Sequence, residues 1–522
     1  MSENKSMTRS AGVVGLSTLI SRILGLVRDV VMSTFFGAGP IADAFYVAFQ
    51  IPNLMRRMVG EGSLTVAFIS VFTKLKNEEG EEVARKFVDS FWTLMTIVLA
   101  ALTVLGMIFS RQIVYVFTNP AFRADAMKFE LAVTMTREMF PYLLAIGLVA
   151  LSMGILNSHK HFFAPAFSPV LLNVAWITSV LVLHYRFQQQ GLSIVLGVLA
   201  GGVLQLAMQI PFLWRFGMRF RPRFDFRHPA LKRIGILLVP STFAVGIVQI
   251  NTLVASYFLT AYDGARSQFY YANRLTEFPY AIFSLALATA VLPTLSDQAG
   301  EEGRKRFKDT FSYGLRLVTF IIIPASVGLA LISRPIINLI YQHGEFTALD
   351  TADTRYMLIM FCLGLWATAG LRMVMQAYYA VEDMVTPLWS AALAMIVNII
   401  GCWWLSKHMG RAGVPLAISL AAMVNLIVLW VRLEGRIGRF EFGPLGRTLL
   451  VSIIASLPMA AIILPLNTLD LWFAPGRIIY KALLLSGEVG AGILLFALVS
   501  WLFKAPELFA VTDAVIRRLK KK

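Results

Sequence analysis

The chain has 522 residues, of which 57% are hydrophobic and 15% charged, with a formal net charge of +17. Soluble domains average roughly 25% charged residues. A mean hydropathy of +0.69 therefore excludes an ordinary water-soluble globule and places most of the apolar surface in lipid.

A membrane-crossing helix needs about 20 mostly apolar residues. Taken in chain order, such stretches predict an all-α integral membrane protein with about fourteen transmembrane helices, near 11–36, 43–73, 87–109, 129–156, 163–184, 191–214, 233–260, 267–296, 309–332, 352–379, 386–406, 412–432, 447–466 and 478–503. The second and eighth are the least hydrophobic. The polar start, Met1 to Ser10, is short, and the run after it holds Arg22 and Arg28 without a small-residue cleavage pattern, so no removable signal peptide is expected. Cys362 and Cys402 each lie inside an apolar run and give neither a disulfide framework nor a metal pattern.

The lysines and arginines alternate in density from one connecting segment to the next. With a cytoplasmic N-terminus, the dense segments all fall on one side. They hold Lys74, Lys76, Arg85 and Lys86, then Arg215, Arg219, Arg221, Arg223 and Arg227, then Arg304, Lys305, Arg306 and Lys308, and finally the tail. The positive-inside rule puts both termini in the cytoplasm. Orientation accounts for this charge, and no nucleic-acid partner is expected.

The chain also repeats itself. Gly80-Glu81-Glu82 through Phe91 matches Gly300-Glu301-Glu302 through Phe311, a shift of 220 residues. Phe45-Tyr46 pairs with Phe269-Tyr270, Ala164-Pro165 with Thr386-Pro387, and Leu213-Trp214 with Leu429-Trp430, in the same order at nearly one offset. Each copy spans six helices, an even number, so the copies have parallel orientation. The expected organisation is a six-helix bundle over 1–215, a second over 216–440, and two extra helices with a basic tail over 441–522. Two such bundles around a central cavity form a transporter plan that works by alternating access.

An ionisable side chain at membrane depth costs about 2.5–3.5 kcal/mol on insertion scales, so each is a functional candidate. Arg22 lies twelve residues past Ser10, about 18 Å along a helix, and Arg28 lies further out. The second span carries Asp43, Asn53, Arg56, Arg57 and Glu61 around Pro52, and the eighth carries Arg274 and Glu277 before Pro279. Guanidinium groups fork onto phosphate or carboxylate oxygens and do not deprotonate, so a wet cationic cavity implies an anionic, phosphate-bearing substrate. Plainer readings stand beside these. Arg28 can snorkel to the interface, Arg274 and Glu277 can simply pair with each other, Arg57 can reach the cytoplasmic boundary, and Asp43 can cap its helix.

His159 and His161 flank Lys160 in a short loop and make no metal pattern. Gly197 and Gly201 read as a helix-packing pair. No nucleotide-binding glycine loop ending in Lys-Ser/Thr is present, so an ion gradient, the membrane potential or a substrate gradient has to drive transport, and no cofactor is expected.

These motifs carry a family likeness. Ser21-Arg22-Ile23-Leu24-Gly25-Leu26-Val27-Arg28-Asp29, Phe36-Gly37-Ala38-Gly39, Asp43-Ala44-Phe45 and Ile51-Pro52-Asn53-Leu54-Met55-Arg56-Arg57 resemble the first two helices of the MurJ/MviN family of lipid II flippases. Tyr271-Ala272-Asn273-Arg274-Leu275 with Glu277-Phe278-Pro279, and Gln342-His343-Gly344-Glu345-Phe346-Thr347, are similar to two later motifs of that family. The resemblance covers essentially the whole chain. It implies the fold of the multidrug/oligosaccharidyl-lipid/polysaccharide exporter superfamily, a bacterial inner membrane, and a non-enzymatic activity. The implied cargo is lipid II, the undecaprenyl-pyrophosphate-linked disaccharide-pentapeptide, moved from the cytoplasmic to the periplasmic leaflet.

By the same resemblance Arg22, Arg28, Arg56 and Arg274 hold the pyrophosphate, accompanied by Ser21, Asp43, Asn53 and Glu277. The last two helices take the lipid tail. Many relatives carry Asp where this chain has Asn273, which leaves Glu277 as the nearer carboxylate for Arg274. The two-half design needs no second copy, and cell-wall synthesis machinery is the expected company. The alternatives are a flippase for another polyprenyl-pyrophosphate-linked glycan and a cation-coupled drug exporter, which wants buried carboxylates rather than arginines.

Overall fold

The structure, a computed structural model, describes residues 2–60, 63–187 and 191–520, with side chains described for 12–54, 68–187, 191–236, 249–284, 287–300, 302–513 and 516. Among these residues there is no strand. Ten stretches are long and apolar enough to cross a membrane. One of them, Val385–Ile437, is 53 residues long and consists of two 25-residue helices, Val385–Met409 and Gly413–Ile437. The spans expected near 11–36, 43–73 and 233–260 are not among the ten, and each includes residues outside the described set.

The chain divides into two compact units, Met1–Asp263 and Gly264–Lys522. The first holds α1 (Ser2–Phe36), α2 (Pro40–Gly60), α3 (Ser63–Glu79), α4 (Glu81–Ile108), α5 (Ser110–Phe117), α6 (Pro120–Ala124), α7 (Ala126–Met139), α8 (Pro141–Ser158), α9 (Phe163–Leu183), α10 (Leu192–Arg215) and α11 (Pro229–Leu259). The second holds α12 (Ala265–Pro279), a π-helical turn at Tyr280–Leu285, α13 (Ala286–Asp297), α14 (Arg304–Leu331), α15 (Ser333–Tyr341), α16 (Ala348–Ala380), α17 (Val385–Met409), α18 (Gly413–Ile437), α19 (Phe442–Leu466), α20 (Ile478–Leu502) and α21 (Pro506–Lys520).

Local chemistry explains the breaks. In α4 all the charge lies in the first three turns, with Glu81 and Glu82 at the positive end of the helix dipole and Glu82 paired to Lys86 one turn on. From Ser90 to Ile108 the helix is uncharged, which is what a membrane span needs. Pro141 supplies no N–H and opens α8 directly after Phe140, so α7 and α8 meet at a break rather than running on. Thr347 and Asp350 form a reciprocal capping box at the start of α16.

The first unit packs α9 on α10, α8 on α10, α1 on α9, and α4 on α8, with α11 against α2, α3, α4 and α5. A stacked ladder of Phe68, Phe72, Phe87 and Phe91 fills the core beside α8 and α10. Gly197 and Gly201 let α10 approach α9 closely: an added Cβ would lie 2.9 Å from Trp176 Cα and 3.1 Å from Leu172 Cα. The packing reading of this pair holds.

The second unit packs α17 on α18, α16 on α18, and α14 on α16. Each unit also carries one like local pattern. In both, a 28-residue helix (α4, α14) ends at one non-helical residue, Phe109 or Ile332, and a short helix then starts at a fully buried serine, Ser110 or Ser333. The two C-terminal spans, α19 and α20, lie against α14 and α15. Their connection is tied down by Asn467 Nδ2 to the Leu331 carbonyl (2.6 Å), by Gln342 Nε2 to Phe473 O (3.1 Å), and by fully buried Trp472.

Asp383 joins two helices of the second unit. Its carboxylate accepts from the amides of Val385 and Thr386 (3.0 Å each) and the Thr386 hydroxyl (2.6 Å), capping α17, and pairs with Arg436 of α18. Burial alone would raise its pKa, but the Thr386 hydroxyl and amide, the Arg436 guanidinium and the Val385 amide together hold it below the usual carboxylate range. A depressed carboxylate stabilises the fold fully above its unfolded value, about 3.9, and loses that contribution as pH falls through the folded value. Thermal unfolding of the purified protein should therefore show wild type above Asp383→Ala by about 1 kcal/mol at neutral pH, with the gap closing as pH falls below about 3.9. A gap of constant size across that range would remove the carboxylate from the account.

Candidate functional site

In the first unit the site residues are built on α1 and α9. Arg28 donates from Nε and Nη2 to Asp29 Oδ1 at 3.2 and 2.9 Å, and from Nη1 to Asn173 Oδ1 at 3.2 Å. Its guanidinium lies 4.5 Å from the centroid of the Trp176 ring. Asn173 in turn donates from Nδ2 to the Ser21 carbonyl at 3.1 Å, which fixes α9 to α1 two turns before Arg28. Asn173 and Trp176 are three apart on α9, so one face of that helix presents an amide and a ring to the same guanidinium. The Arg28 side chain is 13% exposed and that of Asp29 only 1%. Snorkelling is therefore not how Arg28 is accommodated.

Arg22 is exposed and, among the described residues, unpaired. Ser21 and Asn53 are half-buried. Arg56 lies on α2, but its side chain is outside the described residues.

Asp43 belongs to a different cluster. It is buried in the first turn of α2, where its Oδ2 lies 3.0 Å from Lys128 Nζ. Lys128, on α7, is 2% exposed and also reaches Asp263 Oδ1 at 2.9 Å, at the end of the first unit. One lysine thus joins α2, α7 and the segment after α11.

In the second unit Arg274 Nη1 donates to Glu277 Oε2 at 3.0 Å, and Asn273 Nδ2 donates to Glu277 Oε1 at 3.2 Å. The plain pairing of Arg274 with Glu277 is what the helix adopts, with Asn273 on the second oxygen. Glu277 is half exposed, and a pair of this kind contributes only about 0–1 kcal/mol, so it orients Arg274 without locking it. Directly after Pro279 the helix widens into its π-helical turn. At the other end of α12, Gln268 donates to Asp350 (3.1 Å) and accepts from Arg411 (2.8 Å), which also pairs with Asp353.

The structure brings Ser21 and Arg28 together through Asn173, pairs Arg274 with Glu277, and sends Asp43 to Lys128. Sequence reasoning missed Asn173, Trp176, Lys128 and Arg411, and quoted Asp29 without giving it a role. A polar residue and a ring three apart in an otherwise apolar run were the available signal for the first two. A lone lysine at the edge of the fourth span was the signal for Lys128. His159 and His161 are used as aromatic packing, against Phe216 and Phe212.

A family model described as "Lipid II flippase MurJ" matches residues 32–481, from α1 into α20. The chain belongs to the MurJ family of lipid II flippases. A probable lipid II flippase MurJ of Vibrio cholerae is 33% identical over 508 residues, covering 94% of this chain and 95% of its own length. A lipid II flippase MurJ of Burkholderia cenocepacia is 34% identical over 424 residues, covering 80% of this chain and 82% of its own. A solved structure titled as the inward closed conformation of lipid II flippase MurJ aligns with a TM-score of 0.78 at 27% identity, over 94% of this chain and 98% of that one. An inward-facing MATE-family transporter of the MOP superfamily aligns at 0.66 with 17% identity, which speaks for the fold alone. The MurJ family match thus runs through both units and takes in every site residue discussed here except Ser21, Arg22, Arg28 and Asp29, which precede it.

The Lys128 cluster gives a direct test. Removing one partner of a buried ion pair typically costs about 3–5 kcal/mol, because the other charge stays desolvated. Lys128→Met should destabilise the purified protein by that order, and adding Asp43→Asn should recover most of the loss in a double-mutant cycle of melting temperatures. Additive losses would show that the two groups do not act as a pair.

Proposed function

We infer that this chain carries lipid II from the cytoplasmic to the periplasmic leaflet of the bacterial inner membrane by alternating access, with both termini in the cytoplasm. The observation that carries the reading is the MurJ family match through both units, joined to a first helix that carries Arg22 and Arg28. Pyrophosphate is the densest anion on such a lipid, and guanidinium groups replace its hydration with forked, charge-assisted hydrogen bonds. Arg22, Arg28, Arg56 and Arg274 are the proposed ligands. Ser21, Asp43, Asn53 and Glu277 accompany them: Asp43 acts through Lys128, and Glu277 through its hold on Arg274.

The work is transport without bond making, so the chain acts as a carrier rather than an enzyme. The proposed organisation remains a parallel repeat over 1–215 and 216–440 with an added hairpin and tail over 441–522. The recurrence of a long helix, a one-residue break and a short helix starting at a buried serine supports it. A single copy suffices for this design, working beside the cell-wall synthesis machinery. The fold-level likeness to multidrug transporters does not extend to cargo, because the candidate ligands here are arginines.

Leaflet exposure in cells tests the assignment. On depletion of the protein, lipid II should accumulate and become protected from a lipid II-cleaving enzyme confined to the periplasm. Arg28→Ala and Arg274→Ala should reproduce that protection at unchanged protein levels. Continued cleavage in depleted cells that have no second flippase would move the assignment to another polyprenyl-linked glycan. Normal flipping by both variants would remove the arginines from the site.

A further inference from the structure

One buried ionisable group has no part in the site above. Glu488 lies near the middle of α20, a span otherwise free of acids. Its side chain is 2% exposed, and among the described residues neither carboxyl oxygen has a hydrogen-bond partner. Lys481, Leu485, Glu488 and Gly492 share the buried face of the helix. A Cβ on Gly492 would meet Met459 Cε at 3.3 Å and Ile463 Cδ1 at 3.7 Å, and Leu485 packs with Ile332, Met459 and Ile463. Glu488 sits between these two positions on the same buried face, so its neighbours above and below on the helix pack against apolar side chains.

The charged groups that α19, α14 and α15 bring beside α20 are committed elsewhere, and α21 meets α20 only past its end at Leu502, fourteen residues beyond Glu488. On α19 the one charged residue is Arg447, a dozen residues before Met459, and it donates to the Phe503 carbonyl. On α14 no charge follows Arg316, which pairs with Glu507 at the start of α21. On α15 the charged residue is Arg334, which stacks on the Phe473 ring at 4.1 Å. On α20 itself Lys481 is two turns away, about 10 Å along the axis, with Nζ held by Asn338 Oδ1 at 2.6 Å and the Ala474 carbonyl. Among the described residues no counter-charge is left for a carboxylate at Glu488.

An unpaired carboxylate in such surroundings is far costlier than the neutral acid. We propose that Glu488 is a proton-binding site of the C-terminal hairpin: its carboxyl carries a proton in the conformation seen here and releases it to water when α19 and α20 part. The ligand is the proton itself, moving between a carboxyl oxygen and water. Because α20 is fastened to α15 through Lys481 and Asn338, loading and unloading at Glu488 sets how readily the hairpin opens, and through it the rate of flipping. The proton site stands without the lipid II reading; its effect on rate rests on that reading.

The test uses the full chain in liposomes. Infrared difference spectra of wild type against Glu488→Gln should show a protonated-carboxyl C=O band at neutral pH in wild type that is missing from the variant, with Glu488→Asp keeping a shifted band. Superimposable wild-type and Glu488→Gln spectra would overturn the site, whatever the transport result. In lipid II flipping assays the wild-type rate should change with pH, by up to about tenfold per unit on the limb where one proton titrates, and Glu488→Gln should flatten that profile while Glu488→Asp displaces it. A band that disappears with an unchanged pH profile in a protein of wild-type melting temperature would overturn the link to rate. The glutamine keeps the shape of the side chain, and the aspartate variant keeps the question answerable if glutamine disturbs folding.

Discussion

A charge taken into hydrocarbon must bring company, and the interior of this protein is arranged around that constraint. Arg28 is the clearest instance. It is supplied with a carboxylate from the next residue, an amide from α9 and the face of a tryptophan. Each partner does something different: Asp29 balances the charge, Asn173 sets direction, and Trp176 covers the guanidinium face while leaving its edge available. The amide also binds the Ser21 carbonyl, so the same residue that aims Arg28 fixes the packing of α1 on α9. Lys128 follows the rule in mirror image, a buried cation holding a buried carboxylate across two helices.

The constraint also separates working charges from structural ones. Lys128 and Asp43 are both almost wholly buried, and breaking them apart leaves a charge stranded. Arg274 and Glu277 sit partly in the open beside a π-helical turn, where separation costs little. A transporter needs both kinds. The deep pair ties α2 to α7 in the first unit, whereas a shallow pair can exchange partners at little cost to the fold.

Much of this was legible in the sequence. Helix positions followed from apolar run length, because a bilayer of fixed thickness imposes one length on every span. The proposed repeat rests on Gly80-Glu81-Glu82, which opens α4, matching Gly300-Glu301-Glu302, which lies just before α14, and the like breaks at Phe109 and Ile332 support it. The site was legible only in part. Arginines announce themselves against an apolar background, whereas Asn173 is one amide among many, and its value depends on α9 lying beside α1, a contact 145 residues apart in the chain. Lys128 was hidden for a related reason: its partners on α2 and after α11 lie far away in sequence, so no local pattern marks it. The Gln342 motif was recognised as a family feature, but its work of fastening the 467–477 connection became visible only once both segments were placed.

The arrangement around Arg28 bears on release as well as capture. A guanidinium with no internal partner would hold a pyrophosphate tightly in every conformation and let go of it slowly. Here Asp29 takes Nε and Nη2 and the neutral Asn173 amide takes Nη1, so in the proposed function Nη1 is the edge that an incoming anion would take. On that proposal the anion would displace Asn173 at small cost, because a hydrogen bond to a neutral amide is exchanged for one between two charges. Asp29 would stay in place and oppose the bound negative charge. That repulsion would weaken binding in the loaded state and favour departure once water reaches the site, so the carboxylate that balances Arg28 would also keep the proposed grip reversible.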